Sequence, residues 1–450
     1  MKEKLDKISP SLCLAKWKQV SLHLPTGLTN SCYHPPLHKI DLEDIADDPM
    51  CLHNTFQKEQ ARMKMLMGEF PKECSYCWDM EKNGELSDRH YRSAEPWAAK
   101  DFDEIVSRPT SVESETPSYV EVNFSNVCNL SCSYCSPQFS SLWMGDVRGK
   151  GAYPTTLPHN DPRYFVGDRY VIPHSEPNPY VDAFWKWWPD LYPELKHFRM
   201  TGGEPLMDKN TYKVFDYVLA HPKPDLHLNV TSNFSVEDKL FDKYIGYVKQ
   251  LCEGDNIEHF MQYVSVDSVY EQAEYIRHGL DYERLVTNVE RFLTEVPGKN
   301  SVTFIITMNN LSLPRLDELM YLILKLRKQF SHTYQRVWFD TPVLRTPQWQ
   351  SLQIMPHSHI YHLHLLKEYM EEHLETEDTQ FKGFKDYEIQ RIERDIKWAK
   401  QTVDQDTLNQ AMADFYLFFN EHDKRRGTNF LRTFPEMKDW WTQCRQFAND

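Results

Sequence analysis

The stretch from residue 119 to about 345 alternates short β-branched or apolar runs with longer helical patterns. This alternation is typical of βα units on a parallel sheet. The six predicted strands are YVEVNF (119–124), KHFRM (196–200), LHLNVT (226–231), MQYVSV (261–266), VTFIIT (302–307) and RVWFD (336–340). Six strands are too few for a complete eight-stranded barrel, so we expect an α/β fold with a partial (β/α)6, TIM-like barrel.

Polar and glycine-rich segments follow each of the predicted strands. In chain order they read SNVCNLSCSYC, TGGEP, SNF, DS, MNN and TPV. In parallel α/β folds the carboxyl ends of the strands meet at one edge of the sheet, where ligands bind and chemistry occurs. These segments therefore predict one functional face.

Charge and cysteine distribution limit the function. The 450 residues contain 51 Lys and Arg against 66 Asp and Glu, a formal charge of -15 that disfavours broad nucleic-acid binding. No stretch approaches the roughly 18 apolar residues of a membrane span. The start MKEKLDKISP lacks the apolar core of a secretory signal, so we expect a cytoplasmic protein without membrane contact. Eight of the ten cysteines lie in the first 135 residues, which indicates local metal chemistry.

Three cysteines lie directly after the first predicted strand, and we call the segment with Cys128, Cys132 and Cys135 the cysteine loop. Three thiolates on one loop can bind three irons of a cubane cluster, which leaves the fourth iron open to an external chelator. A structural zinc ion would need a fourth protein ligand, and the loop offers no obvious histidine or further cysteine. The spacing favours an iron–sulfur cluster with one reactive position.

With these residues the sequence resembles the radical S-adenosylmethionine (SAM) enzymes. The resemblance is carried by the CxxxCxxC loop, the aromatic Tyr134 before its last cysteine, and TGGEP after the second strand. It implies a [4Fe-4S] cluster on the cysteine loop, whose open iron binds the amino and carboxylate groups of SAM. It also implies a 5′-deoxyadenosyl radical that abstracts a hydrogen atom from the substrate.

The same resemblance assigns residues to a SAM site. The GGEP segment would receive the amino group, because glycines let backbone carbonyls approach an ammonium and a carboxylate complements its charge. Tyr134 matches a position beside the adenine, and Arg277 matches an arginine that pairs with the SAM carboxylate. The full set of implied SAM contacts is Tyr134, Gly202, Gly203, Glu204, Pro205, Ser232, Asn233, Asp267, Arg277, Met308 and Asn309.

Several of these residues also have simpler interpretations. Ser232, Asn233 and Asp267 are residue types that cap helices and turns. Arg277 could equally form an ordinary surface ion pair. The specific signal is the order of strand, three-cysteine loop, strand and GGEP.

The tetrapeptide CSYC of the cysteine loop also occurs upstream, from Cys74 to Cys77. Two thiolates do not complete a metal site, and Cys13 and Cys32 are the candidate partners. Between these two lies VSLHLPTGLTN, whose alternation and turn residues predict a β-hairpin that presents two sulfurs to one metal. We call Cys13, Cys32, Cys74 and Cys77 the cysteine quartet, with Cys51 as the replacement if one of the four is wrong.

The quartet resembles the auxiliary-cluster modules called SPASM and twitch domains. The seven-cysteine SPASM pattern is not present, so the resemblance is to the shorter twitch module. Here the module precedes the barrel, as in a group of radical SAM proteins with an N-terminal twitch region. Further residues that resemble this group are Trp78, Glu81, Ser140, Ser141 and Trp143. The resemblance implies a second, fully ligated [4Fe-4S] cluster that relays an electron during oxidation or bond formation.

The resemblance implies a peptide or a small molecule as substrate, and a flavodoxin or ferredoxin as electron donor. Four cysteines from two hairpins also suit a structural zinc ion. The alternative function is therefore a non-catalytic iron–sulfur or zinc protein that senses redox state or binds a partner.

We expect three domains: a twitch-like module at 1–100, a radical SAM core at 117–345 and a helical region at 350–450. The core contains a proline- and aromatic-rich insertion at 151–193. A segment of this length predicts either a substrate lid or a packed surface insertion. Its run WKWW is more typical of a core than of a binding site.

Overall fold

The computed structural model describes residues 1–108, 114–157, 159–160 and 166–449. Within these ranges nine strands form one sheet and two short strands form a separate antiparallel pair. The strands are β1 Gln19–His23, β2 Leu28–Asn30, β3 His38–Lys39, β4 Tyr119–Asn123, β5 Ser131–Cys132, β6 His197–Thr201, β7 Lys223–Ser232, β8 Ile257–Ser265, β9 Arg277–His278, β10 Asn300–Ile305 and β11 Val337–Asp340.

All six predicted strands are present. They are β4, β6, β7, β8, β10 and β11, which pair in parallel and lie side by side in chain order. The predicted alternation of strands and helices is confirmed, and the fold is mixed α/β with a large parallel sheet. Its carboxyl-terminal edge carries the segments that the sequence marked as functional.

The N-terminal part is a hairpin surrounded by short helices. β1 pairs antiparallel with β2, as predicted, but it also pairs in parallel with β4 and so extends the main sheet. Apolar side chains of this part, among them Leu14, Trp17 and Trp97, form a cluster apart from the main core. The helices before β4 are α1 Lys2–Ile8, α2 Ala15–Lys18, α3 Leu42–Asp47, α4 Phe56–Leu66, α5 Ser75–Lys82, α6 Asp88–Ala94, α7 Pro96–Ala99 and α8 Phe102–Ser107.

Side-chain alternation gives the main sheet an apolar face and a polar face. Val120 and Val122 of β4 are fully buried in the main core, whereas Glu121 lies on the opposite face. On β6, Phe198 is buried in the same core and Arg199 is half-buried. The helices between β4 and β11 are α9 Ser141–Lys150, α10 Pro179–Leu191, α11 Lys209–Ala220, α12 Asp238–Cys252, α13 Tyr270–Ile276, α14 Tyr282–Glu295 and α15 Leu316–Phe330.

The tryptophan run of the predicted insertion lies in α10. Asn178 caps this helix by accepting a hydrogen bond from the Tyr180 N–H at 2.9 Å, and Pro179 occupies its first turn. Trp187 and Trp188 are each 1% exposed and belong to the main core. The run therefore fills the core at this point. Residues 158 and 161–165 of the insertion lie outside the described residues, and a substrate lid stays a prediction.

The C-terminal helices contribute to the core as well as covering it. α18 buries Phe415, Phe418 and Phe419 among the residues of the main core. Among the described helices, none combines the length and hydrophobicity that crossing a bilayer requires. The helices after β11 are α16 His357–Glu372, α17 Asp386–Ala399, α18 Gln405–Arg426, α19 Phe430–Thr433 and α20 Lys438–Asn449.

Candidate functional site

The cysteine loop is held in place by a pair of two-residue strands. β5 pairs antiparallel with β9, so that Ser131 faces His278 and Cys132 faces Arg277. One further bond continues the ladder, from the Ser133 N–H to a carbonyl oxygen at 2.8 Å. This pairing brings Arg277 beside a cysteine that is 145 positions earlier in the chain.

Residues at the start of α9 support the loop from the other side. The Trp143 indole N–H donates to the Cys132 carbonyl oxygen at 2.8 Å. Ser140 donates its hydroxyl to another loop carbonyl at 2.7 Å, and Ser141 accepts from the Cys128 N–H at 3.2 Å. The serines and the tryptophan that carried part of the sequence resemblance therefore fix the backbone of the cysteine loop.

Burial raises the pKa of all three loop thiols. The pKa of Cys135 reaches about 12 and that of Cys128 lies well above its ordinary value, with the neighbouring Cys132 adding to both effects. At Cys132 burial also raises the pKa, and the cationic Arg277 lowers it. Metal ligation deprotonates a cysteine, whereas a desolvated thiol without a metal stays neutral. Without a metal these three thiols are therefore neutral, and a metal bound to them would have to displace their protons.

A buried polar network lies directly beside the loop. Arg277 forms an ion pair with Asp267, with its Nη2 at 3.0 Å from Oδ1 and its Nε at 2.9 Å from Oδ2. The Tyr134 hydroxyl donates to the same carboxylate at 2.7 Å. The structure thus brings together three of the predicted SAM contacts. Arg277 therefore does form an ion pair, but at 7% exposure the pair is buried and not at the surface.

The GGEP segment meets the cysteine loop through its backbone. Gly202 has a φ of +117°, a conformation that favours glycine, and a Cβ there would overlap the side chain of Asn123. A Cβ on Gly203 would overlap the carbonyl oxygen of Val127, just before the first loop cysteine. Gly202 is therefore required by its backbone conformation and by the Asn123 side chain, and Gly203 by the direct contact of two backbone segments.

Glu204 lies under the loop and is 1% exposed. Its two carboxylate oxygens accept hydrogen bonds from the Asn233 N–H at 2.8 Å and the Leu206 N–H at 3.1 Å. The second bond caps the short helical turn that begins at Pro205. Burial raises the pKa of Glu204 to about 7. The carboxylate is therefore hydrogen-bonded to backbone groups of the fold. With this pKa it is only partly ionised at neutral pH.

The two residues predicted after the third strand have local roles as well as a link to the loop. Ser232 accepts a hydrogen bond from the Phe234 N–H at 2.9 Å, as a turn-capping residue does. Asn233 donates its amide to Asn129 of the cysteine loop at 2.7 Å. Ser232 can therefore cap this turn and still belong to the segment that lies beside the cysteine loop.

Met308 and Asn309 lie at the end of the fifth strand of the parallel sheet. Met308 is fully buried and forms an isolated bridge with Val343. Asn309 accepts a hydrogen bond from Gln350 at 3.3 Å, and Gln350 also donates to Ser133 of the loop at 2.8 Å. Asn309 is thus connected to the loop through Gln350, a residue that the sequence did not single out.

The cysteine quartet converges on one small cavity of about 20 Å³. Cys74 immediately precedes α5 and Cys77 lies in its first turn, whereas Cys13 precedes α2 and Cys32 follows the hairpin. Further residues that line the cavity are Lys16, His34, Met65, Trp78, Arg89 and Arg92. All four predicted thiols therefore face the same space.

The thiols of the quartet are desolvated beside fixed positive charge. Burial raises the pKa of Cys13 to about 12 and that of Cys32 to about 11. Lys16 is 3% exposed, pairs with Glu73 at 3.1 Å and lowers the pKa of Cys74 against the effect of burial. A metal centre bound by several thiolates carries negative charge, so this cation would stabilise it.

The remaining cysteines lie elsewhere. Cys51 is not among the described residues that line the cavity, and it packs against the main core instead. Cys252 and Cys444 are buried in that core. Among the described residues, no three or more His, Cys, Asp and Glu side chains could hold a metal ion as they are placed. This finding applies to the cysteine loop as well as to the quartet.

The polar face of the main sheet carries an ion pair that the sequence analysis missed. Glu121 of β4 and Arg199 of β6 are paired across the sheet, with 3.3 Å between Oε2 and Nη1. Arg199 also donates to the Thr231 hydroxyl at 3.0 Å and stacks on the ring of Tyr263 at 4.2 Å. Tyr33, next to a quartet cysteine, donates to Glu121 at 3.3 Å. The sequence signal for this ion pair was a charged residue in the middle of each of two predicted strands.

Comparisons with known proteins give weak similarity. No family model matches the chain, and no curated protein matches it. Crystal structures of Streptococcus suis SuiB bound to S-adenosylmethionine and bound to the precursor peptide SuiA match with TM-scores of 0.35 and 0.32 at 12% and 14% identity. The alignments cover 70% of this chain, which spans 61% and 62% of the two SuiB chains. At these TM-scores the similarity carries no argument, and the proposal below rests on the sites.

Proposed function

We propose that this chain is a radical SAM enzyme, with a [4Fe-4S] cluster on the cysteine loop and SAM as its second cofactor. When bound, these cofactors supply a 5′-deoxyadenosyl radical that abstracts a substrate hydrogen atom. The observation that carries the proposal is the convergence of three desolvated thiols, the GGEP backbone and the Asp267–Arg277–Tyr134 network at one edge of the parallel sheet. We further propose that this sheet is a partial (β/α)6 barrel.

The residues of the loop suit such a cluster. Three thiols without a fourth can hold three of four irons. Strand pairing and the side chains of α9 fix the loop backbone. Fixed ligands lose little conformational freedom on binding, which favours a defined metal centre.

For SAM we propose the contacts that the resemblance implies, apart from Asp267 and Arg277, which are bound to each other beside the cysteine loop. The backbone of Gly202 and Gly203 would receive the amino group, with Glu204 and Pro205 shaping the turn. The other proposed contacts are Tyr134, Ser232, Asn233 and Met308. Support comes from the hydrogen bonds that join Asn233 to the cysteine loop and Tyr134 to Asp267.

For the quartet we propose a second [4Fe-4S] cluster in a twitch-like domain at 1–100, before a radical SAM core at 117–345. All four of its thiols line one cavity. Lys16 places a buried positive charge beside the thiols. A cluster ligated by four cysteines has no open iron and is suited to relay electrons.

The substrate site that we propose is the polar face of the sheet, close to the quartet. It presents Glu121, Arg199 and Tyr263, which are all half-buried. Tyr33 connects this face to the quartet, because it follows Cys32 and bonds to Glu121. A polar peptide or small molecule would find hydrogen-bonding groups there, and oxidation of it would pass an electron towards the quartet. A flavodoxin or ferredoxin is the proposed electron donor.

The proposal is tested by anaerobic purification and reconstitution with iron and sulfide. We expect brown protein with about eight irons per chain, since each cluster holds four. Under a strong reductant it should convert SAM to 5′-deoxyadenosine, measured by liquid chromatography, whereas protein without reductant should not. Colourless protein that carries zinc and leaves SAM intact would contradict the proposal and favour the non-catalytic alternative.

A further inference from the structure

The guanidinium group of Arg277 contacts a sulfur of the cysteine loop. Its Nη1 is 3.8 Å from the Sγ of Cys132, within the range of an N–H···S hydrogen bond. Backbone pairing between β5 and β9 fixes both residues, so this contact does not depend on a flexible side chain alone. Arg277 therefore places a permanent positive charge beside one specific thiol.

The rest of the guanidinium is held by Asp267. Two of its nitrogens lie at 3.0 and 2.9 Å from the two carboxylate oxygens, and Asp267 is fully buried. The carboxylate is itself fixed by the Thr307 N–H at 2.9 Å and by the Tyr134 hydroxyl at 2.7 Å. Turning Arg277 towards another anion would break a buried ion pair and leave the Asp267 carboxylate without its counter-charge.

We propose that Arg277 is a positioning residue that acts on the Cys132 sulfur and not a ligand of the SAM carboxylate. Its N–H group and its charge stabilise the thiolate and raise the reduction potential of the centre on the loop. Asp267 orients the guanidinium and offsets part of its charge. This inference rests on the proposed function, because it requires an iron–sulfur cluster on the loop.

The charges of the two residues give opposite predictions. Reduction adds an electron to the centre, so a nearby cation favours the reduced form and a nearby anion disfavours it. Loss of the Arg277 charge should therefore lower the potential, and loss of the Asp267 charge should raise it. A role limited to packing gives no reason for opposite shifts.

The experiment measures the potential and SAM binding separately from turnover. The full chain carrying C74A and C77A, which isolates the loop centre, is reconstituted with iron and sulfide and titrated by electron paramagnetic resonance (EPR). Arg277→Gln should shift the reduction equilibrium at least tenfold towards the oxidised form, which is 59 mV for one electron. Asp267→Asn should shift it towards the reduced form. In both variants SAM affinity, read from the SAM-induced change in the EPR spectrum, should stay within about threefold of the parent.

Two further variants control for folding and charge. Arg284→Gln removes a partly exposed arginine of α14 and should leave the potential unchanged. Arg277→Lys keeps the charge and should stay closer to the parent than Arg277→Gln does. If Arg277→Gln retains no iron, Asp267→Asn and Arg277→Lys decide the question by the same criteria.

Shifts in the same direction for Arg277→Gln and Asp267→Asn would overturn the inference. An unchanged potential in Arg277→Gln with SAM affinity lowered more than tenfold would also overturn it, in favour of carboxylate binding. Absence of iron from the parent loop is a different result, since it refutes the proposed function itself.

Discussion

The two cysteine sites contain the same tetrapeptide in different local structures. In the quartet, CSYC begins α5, with Cys77 in the first helical turn. In the cysteine loop, the same letters run from the end of β5 into a turn. Tertiary contacts therefore decide the conformation, since local propensity is identical in the two copies.

The surroundings of the thiols differ as well. The quartet is a set of four thiols around a cavity with Lys16 beside them. The cysteine loop has three thiols and lies against the Asp267–Arg277–Tyr134 network and the glycine turn. We interpret the first as a closed site for electron relay and the second as an open site for a cofactor. On this interpretation, the partners of each CxxC pair determine its use.

Replacing the two sets of cysteines should give the largest difference. The variant C128A/C132A/C135A should lose SAM cleavage to the level of a protein-free control and retain about half of the iron, because one of two four-iron clusters remains. The variant C74A/C77A should retain some SAM cleavage and form no oxidised product. Iron analysis and chromatographic assay of 5′-deoxyadenosine check both variants. SAM cleavage by the first variant would remove the distinction between the sites.

Gly203→Ala tests the close approach of backbones beneath the cysteine loop. The new Cβ would overlap the carbonyl oxygen of Val127, which is backbone and cannot turn aside. We expect a loss of about 3 kcal/mol in the free energy of unfolding, measured by urea denaturation. Gly246→Ala is the matched control, because it lies within α12 with open space around it and should gain roughly 0.5 to 1 kcal/mol. Equal stabilities of the two variants would contradict the structure of the turn.

The buried Glu204 should make the free energy of unfolding depend on pH. Its pKa of about 7 lies above the value of about 4.3 for an unfolded chain, so the folded state binds the extra proton between these values. Stability from this group is therefore present at low pH and is lost as the pH rises through 7. From pH 5 to pH 8 the unfolding free energy should fall on the order of 2 kcal/mol more than in Glu204→Gln. Parallel pH profiles of the two proteins would show that Glu204 is not desolvated.

Lys16→Met should give the smallest of these effects. Lys16 pairs with Glu73 and lowers the pKa of Cys74, so its removal takes a buried cation away from the quartet. We expect the quartet to bind its metal about tenfold more weakly, a typical effect of removing an outer-shell partner. Competition with a chelator measures this loss, and iron on the cysteine loop serves as the internal control. Equal loss from both sites would mean that the change is not local.

Much of the fold follows from the sequence pattern because parallel strands are short apolar runs with helices between them. YVEVNF, for example, contains β4 at Tyr119–Asn123, with Val120 and Val122 in the core. The parallel pairing of β1 with β4 was not predictable, since nothing local in a hairpin indicates which distant strand it joins. The same holds for β5 and β9, which are two residues each.

The features of the two cysteine sites also differ in how far the sequence predicts them. The loop cysteines and the quartet could be grouped from spacing and hairpin signals, and the structure brings each group together. The contact of Arg277 with Cys132 depends on two-residue strand pairing that no sequence period reveals. The Glu121–Arg199 pair depends on register between β4 and β6, which becomes visible only when the strands are aligned.

In the proposed function one cysteine site is open and the other is closed. The direct measurement is electron nuclear double resonance on reduced, reconstituted protein with SAM labelled with ¹³C in its carboxylate. We predict coupling between the label and one cluster, present in C74A/C77A and absent in C128A/C132A/C135A. Coupling that persists without the three loop cysteines, or that requires Cys74 and Cys77, would contradict it.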